Sequence, residues 1–279
     1  MELAHGRIKM PWLPAKKGEK AMAGRYQTIK VGHFGPVYSI ELNKPPLNIL
    51  DIAMMEEIVL ALEEADTDRG LRTLVFRGAG EKAFSAGVSI QDHTPDRIEQ
   101  MIRQFHGIFR RLAKTEKVTV AAVQGHCLGG GFELAAMCDL VVAAEDARFG
   151  QPEIKLGQFP PVGVVLLPYL IGYRKAAELI LTGMTLTAPE AQALGLVNRV
   201  VPVKQLQEAT DELLRELLEQ SGAALRLTKT ILRRVAGLDF EKALSEGEQF
   251  FLQTLAKTAD AKEGVFAFLE KRAPQWRNQ

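Results

Sequence analysis

Apolar residues recur at three- and four-residue intervals at Ile98, Met101, Ile102, Phe105, Ile108, Phe109 and Leu112. That spacing puts them on one helical face and predicts an amphipathic helix. Ahead of it, residues 26–31 and 36–42 read as strands around the turn His33-Phe34-Gly35. Paired prolines make Asn43-Lys44-Pro45-Pro46-Leu47-Asn48 a loop. Asp51 is placed to cap a helix over 52–65. Residues 71–76 form a short buried strand, ended by Gly78-Ala79-Gly80. After the amphipathic helix come a strand over 118–123, a link over 124–128, and a helix running from Gly129-Gly130-Gly131 to about Cys138. A strand over 140–144 and a shorter extended piece over 147–149 follow. Strand and helix thus alternate from 71 to 149, which implies parallel pairing with crossover helices.

Beyond Pro152 the texture becomes helical. Helices are expected over 162–170, 174–181, 189–194, 203–219, 223–236, 240–255 and 259–271, with one strand over 197–201. Pro189 suits the first turn of its helix. The chain therefore divides into an extension over 1–24, an α/β core over 25–202 and a helical region over 203–279.

Composition narrows the class. The chain has 279 residues, 47% hydrophobic and 25% charged, enough for a sizeable core without staples. A net charge of +1 gives no general attraction to polyanions or membranes. Cys127 and Cys138 make no disulfide framework and fit a reducing compartment. No apolar run reaches the roughly 18 to 20 residues of a spanning helix. Residues 1–24, with Pro11, Trp12, Pro14 and several lysines, lack the apolar centre of a signal peptide. A cytoplasmic location is the expectation.

The candidate chemistry gathers at three places. Three successive glycines lose much entropy on folding, so close approach of backbone to something else is the usual reason for them. Where they open a helix, free N–H groups and the helix dipole favour negative charge. Glu133 follows among Phe132, Leu134, Ala135, Ala136 and Met137, and is either solvated on an outer face or held for chemistry. The second place is the loop Lys82-Ala83-Phe84-Ser85-Ala86-Gly87-Val88-Ser89. Both loops follow parallel-type strands, at the strand ends where open α/β sheets bind ligands. If the N–H groups near Val88 and Gly130 converge they form an oxyanion hole, each donor lowering a barrier by on the order of 3 kcal/mol. The third is Gly150-Gln151-Pro152-Glu153, which makes Glu133 and Glu153 a candidate acid–base pair.

These motifs, in this order, resemble the enoyl-CoA hydratase/isomerase (crotonase) family over residues 26–276. The resemblance rests on Lys82 to Gly87, Gly125 with Gly129 to Leu134 and Cys138-Asp139, Phe149 to Glu153, Leu181-Thr182-Gly183, and Ala193 to Val197. It implies a crotonase-like spiral of β-β-α units, with a helical C-terminal region that makes trimers, commonly paired into hexamers. It implies an acyl-CoA thioester as substrate and no separate cofactor, coenzyme A being part of the substrate. By the family pattern, Val88 and Gly130 donate to the thioester oxygen. Glu133 would hold and activate water, and Glu153 would move the proton at the α-carbon. Lys82, Ala83, Phe84, Ala86, Gly87, Ser89, Ile90, Gly129, Pro161, Phe268 and Lys271 fall at substrate- or CoA-binding positions, although Lys271 equally suits a solvated helix end.

The chain departs from that pattern in two places. Many members carry Asp where this chain has Ser89, and a glycine-rich run where it reads Pro161-Val162-Gly163-Val164-Val165. Pro161 has no N–H to offer, and Val164 and Val165 are expected to reshape the acyl pocket. With Asn48-Ile49-Leu50-Asp51, Gln91 to Pro95 and Lys155 to Pro160, these departures resemble the cyclohexa-1,5-diene-1-carbonyl-CoA hydratases. The expected reaction is addition of water to an α,β-unsaturated acyl-CoA. The alternatives are a double-bond isomerase or other enolate-forming enzyme, and a non-catalytic RNA- or partner-binding protein of the same fold. Arg226, Lys229, Arg233 and Arg234 are clustered, but without interleaved aromatics they suit a solvated face or a CoA phosphate better than RNA. His5, His33, His93, His106 and His126 make no metal-ligand spacing, so no metal is expected. His93 lies beside the loop bordering the acyl pocket, as a substrate contact or the start of a helix.

Overall fold

The computed structural model describes residues 25–278, and the extension read over 1–24 lies outside them. Strands β1 (Ile29–Phe34) and β2 (Val37–Leu42) form an antiparallel pair. The first strand starts three residues later than its composition suggests. The N–H groups of Gln27, Thr28 and Ile29 are taken by the Glu57 carboxylate at 2.8, 2.8 and 3.2 Å. Helix α1 (Ile52–Thr67) carries Glu57 and begins at Asp51, whose carboxylate accepts from Met54 N at 3.0 Å.

From there the chain advances in repeated units of strand, short strand and helix. The first is β3 (Thr73–Gly78), β4 (Ala83–Ser85) and α2 (Ile98–Leu112). The second is β5 (Val118–Val123), β6 (His126–Leu128) and α3 (Gly130–Met137). The third is β7 (Leu140–Ala144) and β8 (Arg148–Gly150), followed by a 3₁₀ turn at Pro152–Leu156 and helices α4 (Gly163–Ile171) and α5 (Tyr173–Thr182). The long strands form a sheet ordered β1-β2-β3-β5-β7-β10, parallel from β2 onward, with β10 (Arg199–Val201) at its edge. The short strands form a second sheet ordered β4-β6-β8-β9, closed by the antiparallel β9 (Thr185–Thr187). The helices α6 (Ala188–Ala193), α7 (Leu206–Leu218), α8 (Gly222–Arg234), α9 (Phe240–Gln253) and α10 (Ala259–Leu269) complete the fold. This is the β-β-α spiral with a helical C-terminal part.

Both faces of the larger sheet are covered, so its strands read as unbroken apolar runs. Leu74, Phe76, Ala121, Val123, Val141 and Ala143 point into the main core with α1, α2 and α3. The alternate residues Val75, Val120 and Val142 pack against Ala209, Leu213 and Leu214 of α7. Of the second sheet only β8 showed in the sequence pattern, as the extended piece over 147–149. Three-residue strands hold too few side chains for a period, and β4 and β6 fell inside stretches read as loop and link.

Two buried amides pin the loops that lead to the site. Asn48, in the left-handed region at φ 48°, donates to Ala79 O and Ala83 O, each at 2.9 Å. Gln124 donates to Gly78 O at 2.8 Å and Gly80 O at 2.9 Å. Every β3–β4 carbonyl so bound would be costly to leave buried and unpaired.

Candidate active site

The glycine triplet is required by close contacts. Gly129 has φ 51°, and a Cβ there would lie 2.7 Å from Glu153 Oε1. A Cβ on Gly130 would meet Val88 Cγ2 at 2.6 Å and Phe105 Cζ at 2.8 Å, and one on Gly131 would meet Ser85 O at 2.5 Å. Gly87, at φ 109°, would place a Cβ 3.1 Å from Leu128 O. The loop after β4 and the loop into α3 therefore press against each other, with backbone where side chains would normally stand.

This packing leaves two amides without partners. Leu50 N donates to Gly87 O and Ser89 N donates to Leu50 O, both at 2.9 Å. Val88, between them in this parallel bridge, turns its own N–H the other way. Gly130 is the first residue of α3, where a helix N–H has no internal acceptor. Among the described residues neither N–H donates a hydrogen bond.

Glu133 is 2% exposed, so it is held inside rather than solvated. Its Oε1 accepts from Val162 N at 2.9 Å and Gly163 N at 2.6 Å, at the start of α4. Burial pushes its carboxyl up to about 7, reinforced by the nearby negative charge of Glu153 and opposed by those two N–H donors. Glu153, half-buried on the 3₁₀ turn, is likewise pushed up to about 7 by burial. In the orientation that satisfies its amide, the fully buried Gln151 donates to both Glu153 oxygens at 3.1 Å. Two carboxyls thus share one neighbourhood and both titrate close to neutrality.

A family profile described as enoyl-CoA hydratase/isomerase matches residues 34–279. The chain belongs to the enoyl-CoA hydratase/isomerase family. It is 40% identical over 257 residues to a Mycobacterium tuberculosis protein named "Probable enoyl-CoA hydratase echA8", covering 90% of this chain and 98% of that one. It is 34% identical over 247 residues to the cyclohexa-1,5-dienecarbonyl-CoA hydratase of Thauera aromatica, covering 88% and 94%. The crystal structure of an enoyl-CoA hydratase subunit from Geobacillus kaustophilus superposes with a TM-score of 0.85 at 39% identity, covering 91% of this chain and 99% of that one. The protein is accordingly an enzyme of this family, with its crotonase-type fold.

Both carboxyls and both unpartnered amides line a cleft of about 360 Å³. Of the residues singled out in the sequence, Ala86, Gly87, Val88, Ile90, Gly129, Gly130, Glu133, Glu153 and Pro161 line it together. Lys82, Ala83, Phe84, Ser89, Phe268 and Lys271 do not line it within the single chain. Ala83 and Phe84 have fully buried side chains, and Ser89 is buried, donating to Gln91 Oε1 at 3.1 Å. Phe268 is 83% exposed, and α10 ends at Leu269, leaving Lys271 beyond it at φ 55°. Val164 and Val165 also lie outside the cleft, exposed on α4, so of that run only Pro161 shapes it.

The amphipathic helix contributes more than its spacing revealed. Ile98, Met101, Ile102 and Phe105 line the cleft from α2, opposite Leu156 to Phe159. Their periodicity marked them as core, and only the fold shows that the same face walls the site. His93 lines it too, with Nδ1 2.8 Å from Ser89 O. A carbonyl only accepts, so Nδ1 carries a proton. Cys127 and Cys138 are buried, and burial holds both thiols well above their ordinary range, which argues against a nucleophile. The basic cluster on α8 is engaged in ion pairs: Lys229 and Arg233 with Asp139, Arg226 with Glu116, and Arg234 with Glu246. Among the described residues no group of three or more His, Cys, Asp or Glu could hold a metal ion, and no helix is long and apolar enough to cross a membrane.

Proposed function

We propose that this enzyme adds water across the double bond of an α,β-unsaturated acyl-CoA thioester. The observation that carries this reading is one cleft holding two carboxyls raised to about 7 beside two unpartnered N–H groups. The thioester oxygen is bound by Val88 N–H and Gly130 N–H. Oε1 of Glu133 is held by two backbone donors, leaving Oε2 to take a proton from water. The water oxygen bonds to the β-carbon, and the double-bond electrons move toward the thioester as an enolate. Val88 and Gly130 stabilise the charge that develops there. Glu153, protonated, delivers its proton to the α-carbon. Transfer of the proton from Glu133 to Glu153 restores the starting state.

The acyl group follows less directly. The 34% identity to the Thauera aromatica enzyme and Pro161 in the cleft support a conjugated cyclic dienoyl-CoA. The 40% identity to a protein named a probable enoyl-CoA hydratase keeps an open-chain enoyl-CoA as the other candidate. Crotonyl-CoA and cyclohexa-1,5-diene-1-carbonyl-CoA, offered side by side in heavy-oxygen water, separate the cases by product mass. A heavier adduct on either ester supports hydration, and the faster ester identifies the acyl class. Products of unchanged mass with a moved double bond would replace hydration by isomerisation.

We also propose a trimer, alone or paired into a hexamer, in a reducing cytoplasm. Helix α9 buries no residue although it presents Phe240, Leu244, Phe251 and Leu252, and α10 exposes Val265, Phe266, Phe268 and Leu269. Apolar surface of that extent calls for a partner. Light scattering should give three or six times the chain mass of 30.8 kDa, and a monomer at micromolar concentration would count against the assembly.

A further inference from the structure

A second cavity, of about 870 Å³, lies at the opposite end of the large sheet from the acyl-CoA cleft. Its walls are the residues just before β3, those just before β5, the start of α8, and the C-terminal tail. The cleft lies beyond the carboxyl ends of these strands, so a six-residue strand, about 20 Å, separates the two. No residue lines both.

The cavity is charged. Arg69, Arg72, Lys117, Arg226 and Arg277 line it, against only Asp66 and Glu116, an excess of three positive charges. Glu116 is bound by Arg226 at 3.3 Å. Arg72 is directed at the exposed carboxyl end of α7, donating to Leu217 O at 3.3 Å and Leu218 O at 3.1 Å and also to Gln220 O. Those carbonyls fix the guanidinium but supply no full negative charge, and among the described residues its buried Nε has no acceptor. Among the described residues the side chains of Arg69, Lys117 and Arg277 make no hydrogen bond or close ion pair, although Asp66, Asp68 and Glu116 act on Lys117 at longer range and Arg277 acts on Glu263. Desolvation lowers the pKa of both Arg72 and Lys117; Asp260 opposes this at Arg72, and Asp66, Asp68 and Glu116 oppose it at Lys117, but burial outweighs them in both cases.

We propose that this cavity is a second binding site, separate from the acyl-CoA cleft, for a small anion bearing two or more phosphate groups. Cations from four separate segments converge there, and the volume exceeds what one phosphate fills. Arg is suited to paired phosphate oxygens through its planar fork. A nucleic-acid strand fits less well. The lining offers no aromatic face for a base to stack on, and Asp66 and Glu116 would oppose an extended polyanion. The diphosphate could come from a free nucleotide or pyrophosphate, or from the head of coenzyme A itself.

Titration calorimetry on the native oligomer with pyrophosphate tests this. The Lys117→Met/Arg277→Gln variant should bind at least about tenfold more weakly, with hydration kcat/KM unchanged, as charge-assisted contacts are lost. The exposed rim change Arg69→Gln should weaken binding about threefold without risk to folding. ADP and CoA identify the source. Two CoA per wild-type chain and one per double-variant chain would assign the cavity to the CoA head. One CoA per chain, with pyrophosphate or ADP still bound, would assign it to a free diphosphate. Equal pyrophosphate affinity in wild type and double variant, absence of binding at about 10 mM, or displacement of pyrophosphate by a single CoA per chain would overturn the proposal. Binding of single-stranded RNA alone, tightening with length, would overturn it in favour of nucleic acid.

Discussion

Glu153→Gln is expected to lower kcat by about three orders of magnitude while leaving CoA-thioester affinity within about threefold. Glutamine matches the carboxylate in size, so the contact with Gly129, where a Cβ would come within 2.7 Å of Oε1, is preserved. What is lost is the dissociable proton. The proposed cycle needs a group that delivers a proton to the α-carbon and recovers one from Glu133, and an amide does neither. Binding should survive because the proposed contacts to the thioester, Val88 N–H, Gly130 N–H and the apolar wall of α2, do not change. Stopped-flow turnover and CoA-thioester titration of the same variant separate the two quantities. Turnover close to wild type would remove Glu153 from the mechanism. A parallel fall in binding would instead make it a ground-state contact. Restoring a carboxyl one carbon shorter, in Glu153→Asp, should recover part of the rate, because the proton returns although the reach is reduced.

The sequence revealed the fold where residues pattern over a full element. The face of α2 from Ile98 to Leu112, the cap at Asp51, and strands β5 and β7 were legible because each carries several side chains in register with the core. The second sheet, β8 apart, was hidden for the opposite reason. Its strands are three residues long and depend on neighbours far along the chain, as Cys127 does on Phe149 and Phe149 on Leu186. The glycine triplet was recognisable as a place of close approach, but what approaches it was not. Ser85 and Val88 come from β4 and the loop after it, Phe105 from α2, and Glu153 from the 3₁₀ turn after β8. Glu133 posed the same problem. Its apolar neighbours allowed a buried or an outward carboxylate, and only Val162 N and Gly163 N, about thirty residues later, show why it can be buried. Val164 and Val165 were misplaced because a helix starting at Gly163 turns them away from the cleft. The charged cavity left no local trace, since its cations lie on four separate stretches.

The pH profile of kcat/KM should be a narrow bell centred near neutrality. Glu133 and Glu153 are both raised to about 7 from an ordinary value of 4.5, in each case mainly by burial. Glu133 also feels the charge of Glu153, so the second ionisation is harder than the first, and the pair titrates as a unit. The working state carries one proton. Below the first ionisation both groups are protonated and Glu133 cannot accept from water. Above the second both are ionised and Glu153 has nothing to deliver. Two units to either side of the optimum, kcat/KM should fall by about thirtyfold. Conformational stability carries the same signature with a definite sign. Folded carboxyls with raised pKa bind protons that the unfolded chain releases between 4.5 and about 7, so their contribution to stability is lost as pH rises through that window. Glu133→Gln removes the charge yet keeps an oxygen to accept from Val162 and Gly163, so it should melt progressively higher than wild type as pH climbs from 5 to about 8. A rate profile flat between about pH 5 and 9 would show that neither carboxyl changes charge during turnover. A melting difference independent of pH would show that Glu133 is not held against its own ionisation.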